Sequence, residues 1–101
     1  MINYGKHFID KNDINSVIKA LKSNFLTQGP KIQEFENNLK SYFGARYATC
    51  VSSGTAALHL SGLALSWNKK DLILASPLTF VATTNAALYS GAKVNLVDIN
   101  P

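Results

Sequence analysis

Cys50-Val-Ser-Ser-Gly-Thr-Ala-Ala-Leu-His-Leu60 reads as the end of a buried strand, a tight turn of small residues at Ser52-Ser53-Gly54-Thr55, and the first turns of an apolar helix. Gly54 lets the backbone come close to a ligand, and the N–H groups of Thr55, Ala56 and Ala57 are expected to lack partners inside the helix. The helix dipole favours negative charge in front of them, while Ser52, Ser53 and Thr55 add hydroxyl donors at the same point. A phosphate fits such a turn without any charged side chain. The plain alternative is a helix start capped by Ser or Thr.

Downstream of this stretch, Leu72 to Ala75 reads as a strand, Thr79 to Tyr89 as a helix closed by Gly91, and Lys93 to Val97 as a strand. With Tyr47 to Val51 as a first strand and Thr55 to Trp67 as the helix after it, the order is βαβαβ, which implies a parallel sheet with right-handed crossovers. Leu72-Ile-Leu-Ala75 shows no alternation of polarity, the pattern of a strand covered by helices on both faces. Ligands gather at the carboxyl ends of such strands, so the Ser52 to Thr55 turn, the Ser76 to Phe80 turn and the Asp98 to Pro101 end are expected on one rim.

Upstream, Asn3 to Ile9 has no clear period and is expected to be extended. Ile14, Val17, Ile18 and Leu21 recur at helical spacing, with Asp10 as N-cap and Asp13 three residues on, close to a capping box. Asn24 to Gly29 breaks that pattern. Pro30 suits the first turn of a second helix whose apolar face is Ile32, Phe35, Leu39 and Tyr42/Phe43, and Gly44 ends it. The chain thus divides into a helical N-terminal arm, residues 1–44, and the start of a βαβαβ sheet, residues 45–101.

Composition narrows the function classes. The 101 residues are 47% hydrophobic and 16% charged, enough for one modest globular unit. The net charge of +4 comes from nine lysines and Arg46 against six carboxylates, spread along the chain rather than gathered on one stretch. That pattern speaks for solubility and against a nucleic-acid partner. The lone Cys50 excludes an internal disulfide or a multi-cysteine metal site, and its apolar setting suggests a buried, reduced thiol. The start carries no signal-peptide pattern and no apolar run reaches spanning length, so the expectation is a cytoplasmic soluble protein with no membrane partner.

Other chemistry is thin. No G-x-G-x-x-G follows the strand and no Gly-Lys-Ser/Thr ends the turn, which argues against the common nucleotide fingerprints. Glu34 and Glu36 lie two apart on a helix and face different directions. His7 and His59 have no carboxylate pattern beside them, which favours structural roles. Phe80 beside Pro77 reads as core or as a stacking platform. No Ser-His-Asp order or metal-ligand spacing emerges.

Four segments occur together in a fixed order: Thr27-Gln-Gly-Pro-Lys-Ile-Gln-Glu-Phe-Glu36, Val51-Ser-Ser-Gly-Thr-Ala-Ala-Leu-His-Leu60, Pro77-Leu-Thr-Phe-Val-Ala-Thr-Thr-Asn85 and Tyr89-Ser-Gly-Ala-Lys-Val-Asn-Leu-Val-Asp-Ile-Asn-Pro101. In that order they resemble the N-terminal part of the DegT/DnrJ/EryC1/StrS family of nucleotide-sugar aminotransferases, over nearly the whole chain. Phe8-Ile-Asp10, Asp13-Ile14, Phe25 to Pro30 and Asn85 to Val94 look most like its pseudaminic-acid branch. The resemblance implies an α/β fold, here an incomplete large domain of the fold-type I pyridoxal-phosphate transferases, mostly parallel sheet flanked by helices.

It further implies pyridoxal 5'-phosphate as cofactor. Gly54, Thr55 and Ala56 would take its phosphate and Phe80 would stack on its ring; Tyr4, Phe25, Leu26, Thr27 and Ser53 match segments that approach the sugar nucleotide. Glutamate would supply the amino group, a UDP-4-keto-6-deoxy hexose would receive it at C4, and the full-length enzyme would be a homodimer. In the family the Schiff-base lysine and the acidic partner of the pyridine nitrogen lie beyond the position of Pro101. None of the nine lysines occupies the matching place, so the chain alone is expected to be inactive. Ser66-Trp-Asn-Lys-Lys-Asp71 departs from the Gly-rich turn usual in relatives, a loop difference. A same-fold sugar dehydratase and a non-catalytic α/β fragment are the alternatives.

Overall fold

Asp10 starts the first helix by the reciprocal contacts its spacing to Asp13 predicts. Its carboxylate accepts from the N–H of Asn12 at 2.7 Å and of Asp13 at 3.0 Å, while the Asp13 carboxylate accepts from the N–H of Asp10 at 2.9 Å. Three donors at the helix start are thereby satisfied. The computed structural model describes residues 5–100, and the chain divides into two compact units, Met1–Cys50 and Val51–Pro101.

The first unit holds α1 (Lys11–Leu21) and α2 (Pro30–Phe43). Pro30 stands in the first turn of α2, and Gly44 ends that helix in the left-handed region at φ 62°. There a side chain would be strained, and the turn lets Ala45 N–H reach the Lys40 carbonyl at 3.0 Å. The apolar stripe of α1, Ile14, Val17, Ile18 and Leu21, forms as expected but lies exposed, as do Ile32, Phe35, Tyr42 and Phe43 of α2. Neither helix has a buried residue.

The second unit runs α3 (Gly54–Ala64), β1 (Leu72–Ala75), α4 (Ala82–Tyr89), β2 (Lys93–Leu96). The two strands pair in parallel, Leu72 against Lys93 through Ala75 against Leu96. Asp71 C=O accepts from Lys93 N–H at 3.0 Å and Ala75 C=O from Val97 N–H at 2.9 Å, extending the ladder at both ends. Gly91, at φ 80°, turns the chain out of α4 so that Ala92 N–H bonds back to the Ala87 carbonyl at 2.9 Å.

Three expectations are corrected here. Tyr47 to Val51 pairs with no strand among the described residues, and the Cys50 N–H donates instead to Glu36 Oε1 at 2.8 Å. Cys50 itself is half-buried, not buried. Nor is β1 covered on both faces: Leu72 and Leu74 are 56% and 61% exposed, whereas Ile73 and Ala75 are half-buried. Helix α4 packs on both strands, and Ile73, Ala75 and Val94 share one face of the ladder.

The core of this unit is built from small side chains. Ala82, Ala86, Ala87 and Ala92 are its buried hydrophobic residues, and α3 packs against α4 with Gly62 buried. A Cβ on Gly62 would stand 2.6 Å from Trp67 Cε3 and 2.7 Å from Ser90 Oγ, so the close approach depends on its absence. His59, half-buried on α3, meets Tyr89 of α4 edge to face at 5.5 Å, in keeping with a structural role.

Candidate active site

The turn at Ser52 to Thr55 is followed by helix as expected, one residue earlier than the sequence indicates. Ser53 is the N-cap, extended at φ −161°, and its Oγ accepts from Ala56 N–H at 3.2 Å. Its carbonyl accepts from Ala57 N–H at 3.1 Å, so the expectation that Ala57 lacks a partner is corrected. Ala57 is the fourth helical residue, and its bond to the cap carbonyl is the first of the helix. Among the described residues no group accepts from the N–H of Gly54 or Thr55. These two donors face the positive end of the helix dipole outward.

Phe80 lies just before α4 and is 75% exposed within this chain. Gly54, Thr55, Ala57, Leu58, Phe80, Ala82 and Thr83 line one cavity of about 550 Å³. A Cβ on Gly54 would meet nothing within 4 Å, so the backbone there opens onto free space. The structure thus joins the unpartnered donors of α3 to an exposed aromatic face. It also adds Leu58 and Thr83, to which the sequence reading assigned no part. Thr83 could have been found from spacing, because it stands three residues after Phe80 and so on the same side of a helical turn.

The remaining predicted residues are placed within the first unit, except Tyr4, which lies outside the described residues. Phe25 and Leu26 are 66% and 70% exposed, and Thr27 is exposed beside them. They ride on a tight turn: Ser23 Oγ donates to the Ala20 carbonyl at 2.7 Å and approaches the Phe25 carbonyl at 3.1 Å. A Cβ on Gly29 would come within 2.9 Å of the Phe25 carbonyl oxygen. Gln28 takes the left-handed region at φ 51°, an uncommon place for a side chain. A second, smaller cavity of about 290 Å³ opens beside this turn, lined by Gln28, Gly29, Ile32, Gln33 and Glu36.

No group of three or more His, Cys, Asp or Glu among the described residues is placed to hold a metal, and no helix is long and apolar enough to cross a membrane.

A strand-and-helix unit with an open helix N-terminus beside an aromatic face defines the class, and comparison defines the family. Residues 7–101 match the DegT/DnrJ/EryC1/StrS aminotransferase family, and the chain belongs to it. It is 48% identical over 99 residues to the UDP-4-amino-4,6-dideoxy-N-acetyl-beta-L-altrosamine transaminase of Campylobacter jejuni, across 98% of this chain and 26% of that protein. It is 37% identical over 92 residues to the UDP-4-amino-4-deoxy-L-arabinose--oxoglutarate aminotransferase of Shewanella sediminis, across 91% of this chain and 24% of that one. A Streptococcus pneumoniae chain named as a sugar aminotransferase, solved in PMP and PLP forms, superposes with a TM-score of 0.81 at 30% identity, over 98% of this chain and 25% of that one. The fold is therefore that of the pyridoxal-phosphate sugar aminotransferases, and the chain spans about a quarter of the length of the relatives it matches.

The cavity suits pyridoxal phosphate on its own terms. Two backbone donors without acceptors at a helix start match a phosphate, an exposed phenyl face matches a planar ring, and the volume falls within the roughly 300–1,000 Å³ of small-molecule sites. Among the described residues no lysine lines it.

Proposed function

We propose that the full-length protein is a pyridoxal-phosphate-dependent aminotransferase that moves an amino group from glutamate to C4 of a UDP-4-keto-6-deoxy amino sugar, in nucleotide-sugar biosynthesis of the pseudaminic-acid kind. The observation that carries this reading is the meeting of Gly54, Thr55 and Phe80 around one cavity in a chain of this family. When bound, the cofactor supplies the electron sink for amino transfer.

The chain's own residues hold and orient. Gly54 and Thr55 N–H groups would hold the phosphate, and Ala56 N–H, which now donates to the Ser53 hydroxyl, would be a third donor once that bond is given up. Phe80 covers one ring face and excludes water from it. Thr27 and Ser53 offer hydroxyls to the sugar nucleotide, with Tyr4, Phe25 and Leu26 forming its approach. This reading requires a lysine that reacts with the cofactor, and none lines the cavity among the described residues. A cytoplasmic homodimer is the proposed working form.

The test is spectroscopic. Purified full-length protein given pyridoxal phosphate is expected to show a visible absorbance band that falls when glutamate is added and returns with a UDP-4-keto-6-deoxy sugar. If no band forms, the aminotransferase reading is wrong.

A further inference from the structure

We infer that Thr79 and Thr83 form a hydroxyl clasp that positions Phe80 for its contact with the cofactor ring, an inference that rests on the aminotransferase reading above. Phe80 stands between the two in sequence, and Thr79 Oγ1 and Thr83 Oγ1 are 3.0 Å apart. The Phe80 carbonyl accepts from Thr83 N–H at 3.0 Å, so the residue is held from its backbone as well as from its neighbours' side chains.

The need for such a clasp follows from how α4 begins. Its N-cap position is Val81, which supplies no side-chain hydrogen bond, so the first turn lacks the usual means of fixing its entry angle. Phe80 is 75% exposed within this chain, so little packing from residues 5–100 holds its ring. An exposed ring on an uncapped turn samples many orientations, and ordering it on binding costs affinity. The Thr79–Thr83 bond closes the loop around Phe80 and removes part of that cost beforehand. Only one hydroxyl of the pair donates within it, so the other keeps a proton to offer elsewhere. Thr83 also lines the cavity, with Thr55 the other hydroxyl side chain there among the described residues. Thr79 is accordingly a positioning residue, acting through Phe80.

The experiment uses full-length protein stripped of cofactor, and measures the pyridoxal phosphate dissociation constant by fluorescence together with the melting temperature of the cofactor-free form. T79V and T83V keep side-chain shape and remove the hydroxyl; T83S keeps the hydroxyl. Each valine variant is expected to weaken cofactor binding about threefold to tenfold, the worth of one neutral hydrogen bond. The double variant should lose no more than either single one, T83S should bind as the parent does, and the cofactor-free melting temperature should be unchanged in all. Parent-like binding by T79V and T83V, additive losses, or losses that track a falling melting temperature would overturn the clasp while leaving the aminotransferase reading intact. A parent protein that binds no pyridoxal phosphate overturns both.

Discussion

The Cys50 N–H donates to Glu36 Oε1 at 2.8 Å, joining the middle of α2 to the segment that leads into the Ser52 to Thr55 turn. This bond spans fourteen residues and is part-buried, unlike the other side-chain bonds of the first unit, which are exposed and local. Glu36→Ala leaves that N–H unpaired and is expected to cost about 1–2 kcal/mol, whereas Glu36→Gln keeps an acceptor oxygen and should cost less. Denaturant unfolding of the full-length protein, with hydrogen exchange at the Cys50 amide, checks this. Unchanged exchange in Glu36→Ala would show that the bond does not protect the segment.

Gly62 sets the distance between α3 and the end of α4. On an open helix surface, Ala in place of Gly gains about 1 kcal/mol. Here the new methyl would press on the Trp67 ring at 2.6 Å and on Ser90 Oγ at 2.7 Å, and overpacking of this kind costs about 1–3 kcal/mol. Gly62→Ala is thus expected to lower the unfolding midpoint, and adding Trp67→Leu should recover part of the loss. A midpoint that rises in Gly62→Ala would mean that Trp67 moves aside freely.

Among the described residues the buried hydrophobic ones, four alanines, remove little apolar surface from water, while the stripe Ile14, Val17, Ile18, Leu21 and the strand residues Leu72 and Leu74 remain exposed. Residues 1–101 expressed alone are therefore expected to unfold over a broad, non-cooperative range and to bind hydrophobic dyes. A sharp transition with matching signals from two probes would refute this.

What the sequence made legible follows from how local each feature is. The Asp10–Asp13 capping box, Pro30 in the first turn of α2, and Gly44 and Gly91 after their helices depend on near neighbours, and all are found; the strand Leu72–Ala75 is found with Lys93–Leu96 as its partner. Tyr47 to Val51 has a strand's composition, but a strand also needs a partner, and Glu36 takes its Cys50 donor instead. The start of α4 shifts from Thr79 to Ala82 because the Phe80 carbonyl first closes a tighter turn onto Thr83. In the candidate site, the phosphate turn was readable from small residues before a helix. Which donors remain free was not, since that depends on whether Ser53 caps with its hydroxyl, its carbonyl or both.

Ser53 separates stability from binding. Ser53→Ala removes the cap on Ala56 and is expected to cost about 1 kcal/mol of stability, yet it frees Ala56 N–H for a phosphate oxygen. Cofactor affinity in the full-length protein should therefore hold or rise as the melting temperature falls, while KM for the sugar nucleotide increases. A parallel loss of cofactor affinity would mean that the Ser53 hydroxyl itself holds the phosphate.

Phe80 gives the converse separation. At 75% exposure its side chain packs little within residues 5–100, and with that face kept for the cofactor Phe80→Ala should leave the cofactor-free melting temperature nearly unchanged, as surface substitutions shift stability by only about 0.5 kcal/mol. The same change removes the stacking face, worth about 0.5–1.5 kcal/mol for an aromatic pair, so the pyridoxal phosphate dissociation constant should rise about threefold to tenfold. Phe80→Trp keeps a flat face and should retain binding. Fluorescence titration of the cofactor-free full-length protein decides the matter. Equal affinity in Phe80→Ala and the parent would show that the ring lies elsewhere, and a large fall in melting temperature would return Phe80 to the core.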